Sequence, residues 1–277
     1  MLEFEYTGLP SHVLFGAGAA RGSRLIDAVD GLGIRRLMVV AADADRDIAG
    51  PITDGLGDRI VGRFSGVRPH VPAAVADAAR AAAAGCGADS VLSVGGGSTT
   101  GTAKAIALTT GLPVVAVPTT YAGSEVTPVW GLTDDGRKMT GTDLRVLPRL
   151  VVYDPELTVT LPVRLSVVSG LNALAHCAEA FWAEGRNPIT SLVAEEGIRA
   201  LARGLPNVSG DSRDLAARSD VLYGAWLGGA AFATTGASVH HKICHVLGGA
   251  FDLPHAETHA VVLPHSVAPA APRGCGQ

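Results

Sequence analysis

The chain lacks the features expected of a protein that binds nucleic acid or crosses a membrane. Its 277 residues carry 22 Lys and Arg against 26 Asp and Glu, so no basic excess is available to meet a phosphate backbone. Charged residues make up only 17%, yet no run of about 18 uncharged apolar residues occurs, which argues against a transmembrane helix. The start of the chain also lacks the basic segment of a signal peptide. We therefore expect a globular protein with neither nucleic acid nor a membrane as partner.

Closely spaced cysteine pairs are also missing. The four cysteines lie far apart in the sequence, at Cys86, Cys177, Cys244 and Cys275. This spacing matches neither a disulfide framework nor a zinc motif and is typical of free thiols in a reducing compartment. We predict a cytoplasmic protein.

What the sequence does have, in its first part, is an alternation of apolar strands and helices. The predicted strands are 4–6, 13–15, 37–41, 90–94, 114–117 and 150–153, and the predicted helices are 20–29, 73–84 and 99–109. Such alternation is typical of a parallel sheet covered by helices.

The pattern of predicted elements changes after Pro155. Helical patterning fills 166–182, 189–203, 214–232 and 238–247, without a convincing strand. We predict an α/β domain at 1–160, an all-helical domain at 161–265 and a disordered tail, rich in Pro, Gly and Ala, at 266–277. Clefts between such halves are preferred ligand sites.

A glycine turn ends one of the predicted strands. It consists of Gly95, Gly96, Gly97 and Ser98 and precedes a helix predicted to begin near Thr99. Glycines let the backbone approach a phosphate closely, and a helix N-terminus offers unpaired N–H groups. Ser98 would cap the helix or bind the phosphate. An ordinary strand-to-helix turn would look similar, but three successive glycines favour phosphate binding.

A threonine loop, residues 119–127, follows the next strand. We expect it at the same carboxyl edge of the sheet, where ligands bind in open α/β folds. The hydroxyls of Thr119 and Thr120 could reach a ribose or a phosphate there. Capping of a following helix is the alternative interpretation.

Histidines gather near the C-terminus, although the chain has only nine. His241 and His245 are four residues apart and share one face of a predicted helix. His255 follows a predicted helix break at Gly248 and Gly249, so the chain can fold back towards the other two. Imidazole titrates near neutral pH and is the commonest metal ligand, so this pattern indicates a metal site or a proton-handling site. His240 and His259 fit ordinary buried, hydrogen-bonded histidines better.

In combination, these motifs resemble the iron-containing alcohol dehydrogenase superfamily, and most closely its maleylacetate reductase branch. The glycine turn with Lys104, the threonine loop with Tyr121, residues 169–173 and residues 251–259 carry the likeness. It extends from about residue 4 to 265. Members of the family continue with further helices, so we expect the helical domain of this chain to be shortened and incomplete.

The resemblance implies a dehydroquinate synthase-like fold and the reduction of maleylacetate to 3-oxoadipate in the degradation of aromatic compounds. It implies NADH or NADPH as cofactor, a small dicarboxylate as substrate and a homodimer. The implied cofactor-binding residues are Gly95, Gly96, Gly97, Ser98, Thr119, Thr120 and Lys138. In many members an aspartate after the first strand grips the adenine ribose. Asp43 is one position off here, which leaves the choice between NADH and NADPH open.

The superfamily's metal ligands, an aspartate and three histidines, fall on Asn172, His176, His241 and His255. An amide thus replaces the carboxylate, and three neutral imidazoles with one weak carbonyl donor should hold a divalent ion poorly. We therefore predict that no metal is required. The same change suits a dianionic substrate, for which the histidines would form a cationic, proton-donating surface.

For the chemistry we predict His245 as the catalytic proton donor, with His241 and His255 positioning the substrate. The predicted substrate-binding residues are Asn172, His176, Tyr121 and Lys242. Two alternatives remain: a metal-dependent alcohol dehydrogenase of the same superfamily, and an inactive, truncated nucleotide-binding remnant.

Overall fold

A six-stranded parallel sheet organises one of two units of the chain, Pro10–Thr120 with Ser124–Thr160. The computed structural model describes residues 3–9, 11–251 and 253–270. The strands of this sheet are β1 (His12–Phe15), β2 (Leu37–Val40), β3 (Ile60–Phe64), β4 (Ser90–Gly95), β5 (Val114–Pro118) and β8 (Leu150–Tyr153), and β6 (Val129–Asp134) and β7 (Arg137–Thr142) form a separate hairpin. The helices are α1 (Ser23–Gly31), α2 (Arg46–Leu56), α3 (Ala73–Gly85) and α4 (Gly97–Thr110).

The sheet runs in the order β1-β8-β5-β4-β2-β3, with every neighbouring pair parallel. Side chains alternate across it, so Val39 joins the core cluster of α1 and α2, while Met38 and Val40 join that of α3 and α4. Helices therefore cover both faces, and the predicted parallel α/β sheet is confirmed.

Three elements of this unit escaped the sequence analysis. Helix α2 contains Pro51 between two glycines, which hid its helical period. Strand β3 is short and interrupted by Gly62. The β6–β7 hairpin turns at Asp135 and Gly136, both with positive φ, as a type I′ turn requires.

The predicted strand at 4–6 is wrong. Residues 3–9 form no strand, and the side chains of Phe4 and Tyr6 are both 45% exposed. Apolar alternation alone cannot make a strand without a sheet edge to pair with.

The second unit, Met1–Leu9, Tyr121–Gly123 and Leu161–Gln277, is helical in its described part. Its helices are α5 (Val163–Glu179), α6 (Pro188–Gly210), α7 (Leu215–Thr235), α8 (Val239–Phe251) and α9 (His255–Ala270). Helix α8 passes through Gly248 and Gly249 without a break, which corrects the break predicted there, because two glycines weaken a helix without stopping it. Residues 266–270, assigned above to a disordered tail, continue α9, and 271–277 lie outside the described residues.

Glycines bring three of these helices into backbone contact. A Cβ on Gly204 of α6 would lie 2.8 Å from the carbonyl oxygen of Ala217 on α7. A Cβ on Gly228 of α7 would lie 2.7 Å from the carbonyl oxygen of Ala173 on α5. These contacts set the spacing of α5, which carries Asn172 and His176.

No helix in the described ranges is long and apolar enough to span a membrane.

Lys104 anchors the threonine loop to helix α4. Its side chain is 1% exposed, and Nζ donates to the carbonyl oxygens of Ser124, Thr127 and Val129 at 2.6 to 2.8 Å. Burial lowers the pKa of Lys104 to about 7, and the neighbouring buried Glu125 opposes that shift. The Lys104 amine thus supplies hydrogen bonds that hold this loop against α4.

We expect Lys104→Met to destabilise the protein by at least ~2 kcal/mol, because three carbonyl oxygens in buried or part-buried hydrogen bonds lose their donor at once. Urea denaturation followed by circular dichroism measures this. The same change at the exposed Lys242 is the control and should stay within about 0.5 kcal/mol of the parent. Equal effects at the two lysines would contradict the anchoring role.

Candidate active site

The glycine turn forms a cradle that only glycine permits. Gly95 has φ +149°, and a Cβ there would lie 2.5 Å from Oγ1 of Thr99 and 2.8 Å from Oδ2 of Asp45. A Cβ on Gly96 would lie 3.0 Å from Cγ2 of Thr120. Gly96 is the N-cap of α4, and no side chain in the described structure caps that helix. The backbone N–H groups at the N-terminus of α4 are therefore not covered by a side chain, and such a terminus attracts a phosphate.

The cap position corrects one expectation. Ser98 lies inside the first turn of α4 and does not cap the helix, because the helix begins two residues earlier than predicted, at Gly97. Ser98 and Gly97 are both half-buried beside the bare turn.

The threonine loop leaves the sheet at the same edge as the glycine turn, as predicted. Strands β4 and β5 pair with Gly95 opposite Pro118, and the backbone N–H of Thr119 donates to the carbonyl oxygen of Gly95 at 3.1 Å. Thr119 is buried and Thr120 half-buried. Lys138, in contrast, lies exposed on β7.

One face of α5 carries three buried polar side chains. Asn172, His176 and Glu179 follow one another at positions i, i+4 and i+7. Glu179 is fully buried and accepts two hydrogen bonds from His241, from the backbone N–H at 3.2 Å and from ring Nδ1 at 2.5 Å. Our sequence reasoning missed Glu179, although its spacing from Asn172 was a usable signal.

Six histidines form what we call the histidine cluster: His176, His240, His241, His245, His255 and His259. The rings of His176 and His241 stack with centroids 4.9 Å apart. The ring centroid of His245 lies 6.2 Å from that of His241 and 6.1 Å from that of His255. The structure thus gathers the predicted histidines.

His240 and His259, which were expected to be ordinary core residues, lie inside the same cluster. Both are fully buried, and His240 Nε2 shares a hydrogen bond with His259 Nδ1 at 2.9 Å. The His259 ring lies 4.5 Å from that of His241 and 4.4 Å from that of His255, centroid to centroid. It therefore fills the space between two predicted site residues.

Burial disfavours the charged form of the inner imidazoles. It lowers the pKa of His241 to about 2, with the neighbouring histidines adding to the shift. The pKa values of His176, His240 and His259 are also lowered, in each case chiefly by burial. Burial thus works against the expected cationic surface at His241. Of the side chains expected to form that surface, His245, His255 and Lys242 are exposed.

Several polar atoms of the cluster are buried without a hydrogen-bond partner in the described structure. They are His176 Nδ1, His241 Nε2 and His259 Nε2, and Oδ1 of Asn172, one helical turn before His176, is buried without a partner as well. Unpaired buried polar atoms are costly, so their grouping marks a place for a ligand. The ligating atoms of His240, His241 and His259 all lie within 4.8 Å of one another, and this group shares only His241 with the predicted metal set.

Tyr121 takes part in a buried hydrogen-bond network. Its side chain is fully buried, and its hydroxyl accepts from Nη1 of Arg218 at 3.2 Å. Arg218 is also fully buried and donates to Ser166 Oγ at 2.6 Å and to the carbonyl oxygen of Leu161 at 3.0 Å. The described contacts give Tyr121 a packing role within the helical unit.

Two family models match the chain. One, described as iron-containing alcohol dehydrogenase, covers residues 10–155, and the other, described as the C-terminal part of the Fe-containing alcohol dehydrogenase family, covers 166–273. Among solved structures, a putative alcohol dehydrogenase from Ralstonia eutropha superimposes with a TM-score of 0.94 at 54% identity, covering 98% of this chain and 76% of that one. Maleylacetate reductase from a Rhizobium species superimposes with a TM-score of 0.93 at 47% identity, covering 97% and 76%.

The curated relatives agree with the structures. Maleylacetate reductase of Sphingobium indicum is 52% identical over 271 residues, which is 98% of this chain and 76% of that protein. Maleylacetate reductase of Burkholderia cepacia is 52% identical over 256 residues, 92% and 72%. This chain thus spans about three quarters of the length of these relatives. It belongs to the iron-containing alcohol dehydrogenase family and, within that family, to the maleylacetate reductase branch.

Proposed function

We propose that this protein reduces the carbon–carbon double bond of maleylacetate to give 3-oxoadipate, with NADH or NADPH as the hydride donor. The similarity to maleylacetate reductases along 98% of the chain carries the proposal. The histidine cluster and the glycine turn supply the two kinds of site that such a reaction needs.

The glycine turn and the threonine loop fit the dinucleotide. A Cβ on Gly95 or Gly96 would fill the cradle, and the uncapped N-terminus of α4 provides N–H groups for a pyrophosphate. We place the cofactor on the unit that contains the sheet and the substrate on the helical unit. When bound, the reduced nicotinamide supplies a hydride to the double bond.

The residues of this chain then have to stabilise the charge that develops on the ketone oxygen and deliver a proton to the resulting enolate. We do not assign His241 as the donor, because burial disfavours its charged form and its ring Nδ1–H donates to the Glu179 carboxylate, which leaves Nε2 as an acceptor. Among the predicted residues, His245 and His255 are the exposed imidazoles. We assign proton delivery to His245, which lies between His241 and His255, and substrate positioning to those two.

The substrate's two carboxylates fit the electrostatics of this site. Asn172 brings a neutral amide to the position where the superfamily has an aspartate, so no carboxylate is added there to repel a dianion. The exposed Lys242 lies three residues before His245 on α8 and adds a positive charge. We propose Asn172, His176 and Lys242 as substrate-binding residues.

A divalent metal fits the cluster in part. Asn172 Oδ1, His176 Nδ1 and His241 Nε2 are buried without partners and would hold the ion, which would polarise the ketone oxygen. Glu179 behind His241 resembles the carboxylate that orients a metal-binding imidazole. All three donors are neutral, however, and the amide is a weak one, so we propose that the reaction proceeds without the ion.

We expect full maleylacetate-dependent NADH oxidation after exhaustive chelation, followed by metal analysis of the treated protein. Short aldehydes with and without added iron or zinc test the alternative of a metal-dependent alcohol dehydrogenase, which the open donor atoms and Glu179 favour. Activity that disappears on chelation and returns with one divalent metal would overturn the metal-free mechanism.

We expect His245→Ala to lower the turnover number with maleylacetate by about 10² to 10⁴-fold, the usual contribution of a positioned acid or base. Cofactor affinity, measured by fluorescence titration with NADH, should change little. His265→Ala, an exposed histidine on α9 with no assigned role, is the matched control. An unchanged turnover number in His245→Ala removes this residue from the mechanism.

A further inference from the structure

Arg218 on α7 is a fully buried cation whose hydrogen bonds, in the described structure, all go to neutral oxygens. Its acceptors are the carbonyl oxygens of Ser212 and Leu161, each at 3.0 Å, Oγ of Ser166 at 2.6 Å and the hydroxyl of Tyr121 at 3.2 Å. Burying a charge costs free energy, and an apolar side chain would avoid that cost. What Arg218 contributes therefore depends on which segments its hydrogen bonds hold in place.

Three of these acceptors lie at the starts of helices. Leu161 lies just before α5, Ser166 lies in its first turn, and Ser212 lies just before α7. Tyr121 is different, because it belongs to the threonine loop. The bond to its hydroxyl is thus the one by which Arg218 reaches a segment outside the helices.

The segment held by this bond is Tyr121–Gly123, the part of the threonine loop that groups with the helical unit. Tyr121 is fully buried, and its backbone N–H donates to Oγ of Ser169 on α5 at 3.2 Å. A hydrogen bond to the side chain and another to the backbone thus fix this residue, one from α7 and one from α5. Because the phenol is buried and bonded, Tyr121 acts on its surroundings through the backbone that follows it.

Gly123, two residues after Tyr121, lies against the histidine cluster. Its φ is +76°, and a Cβ there would lie 3.3 Å from both Cε1 and Nδ1 of the His176 ring. Glycine is needed for this conformation and for so close an approach. Nδ1 of His176 is one of the buried atoms without a partner in the described structure. The backbone at Gly123 therefore packs against the edge of the ring at which a ligand is expected.

We propose that Arg218 is a positioning residue for the reduction: through the Tyr121 hydroxyl it holds the backbone of residues 121–123 against the His176 ring. The same backbone continues directly from Thr120, which is assigned to the cofactor. A loosened Tyr121 therefore disturbs a cofactor-binding residue and a substrate-binding residue together. This inference rests on the proposed function for the roles of Thr120 and His176.

Tyr121→Phe tests the link, because it removes the hydroxyl and keeps the ring. It should lower kcat/KM with maleylacetate by about tenfold, within the ~10²-fold that a displacement of about 1 Å can cost. Ser166→Ala is the matched control, since it removes another acceptor of the same guanidinium, away from the loop. It should lower the urea midpoint about as much as Tyr121→Phe and leave kcat/KM unchanged. An equal loss of kcat/KM in the two variants would overturn the inference.

A double-mutant cycle shows whether Arg218 acts through Tyr121. Arg218→Met should lower kcat/KM about as much as Tyr121→Phe does. Added to Tyr121→Phe, it should lower kcat/KM no further, although the double variant loses more stability. If Arg218→Met does not fold, Arg218→Lys takes its place, since lysine keeps the charge but not the planar fork of donors. Losses of kcat/KM that multiply in the double variant would contradict the proposed link.

The last test needs no reduction of maleylacetate. In protein labelled with ¹⁵N-histidine, and with the ring signals of His176 assigned from a His176→Gln variant, Tyr121→Phe should shift those signals and Ser166→Ala should not. Unshifted signals in Tyr121→Phe would overturn the positioning role even in an active enzyme. Shifted signals in a protein that reduces no maleylacetate would support that role and count against the proposed function alone.

Discussion

The hydrogen bond between the Glu179 carboxylate and the His241 ring governs the chemistry of the histidine cluster. It fixes the Nδ1 proton of His241 and leaves Nε2 as an acceptor. Burial then disfavours a second proton on the ring, since the charged form would lose its hydration. The proposed roles of the other imidazoles follow from this, because proton delivery is then assigned to an exposed ring, His245.

A buried charged side chain also holds a backbone segment in the unit that contains the sheet. Lys104 is a buried cation whose partners are mostly backbone carbonyls, with Glu125 nearby. Its value lies in fixing a loop that has little regular structure of its own, next to the glycine turn. In both units, therefore, a charged side chain has left the solvent to hold a backbone segment beside a site.

Much of the fold was predictable, because the strands of a parallel sheet are continuous apolar runs with glycine turns at their ends. The two strands that flank the glycine turn were predicted within one residue. Helix α2 was not, since Pro51 and its neighbouring glycines conceal a helix that tertiary packing of Ile52 and Leu56 stabilises. The predicted strand at 4–6 failed for the opposite reason: the local pattern suits a strand but no sheet edge is there to pair with.

The sequence predicted which residues lie in the candidate site but not which of them carry a charge. Spacing on a helix placed His241 and His245 together, and the motif supplied Asn172 and His176. Spacing could not reveal that burial removes the charge of His241, since desolvation depends on how neighbouring helices pack. Glu179 was predictable from its position on the same helix face as Asn172 and His176, but it lies outside the metal ligands that the family resemblance implies.

The glycine contacts between α5, α6 and α7 have an evolutionary consequence. Because Gly204 and Gly228 face carbonyl oxygens at distances that admit no side chain, neither position can accept another residue without a shift of a whole helix. The spacing of α5, α6 and α7 is thus closed to gradual change. Helix α8, with exposed side chains at Ile243 and Val246 outside the proposed site residues, can be altered there one residue at a time. New substrate ranges within this branch would arise more readily from α8 than from the glycine-packed helices.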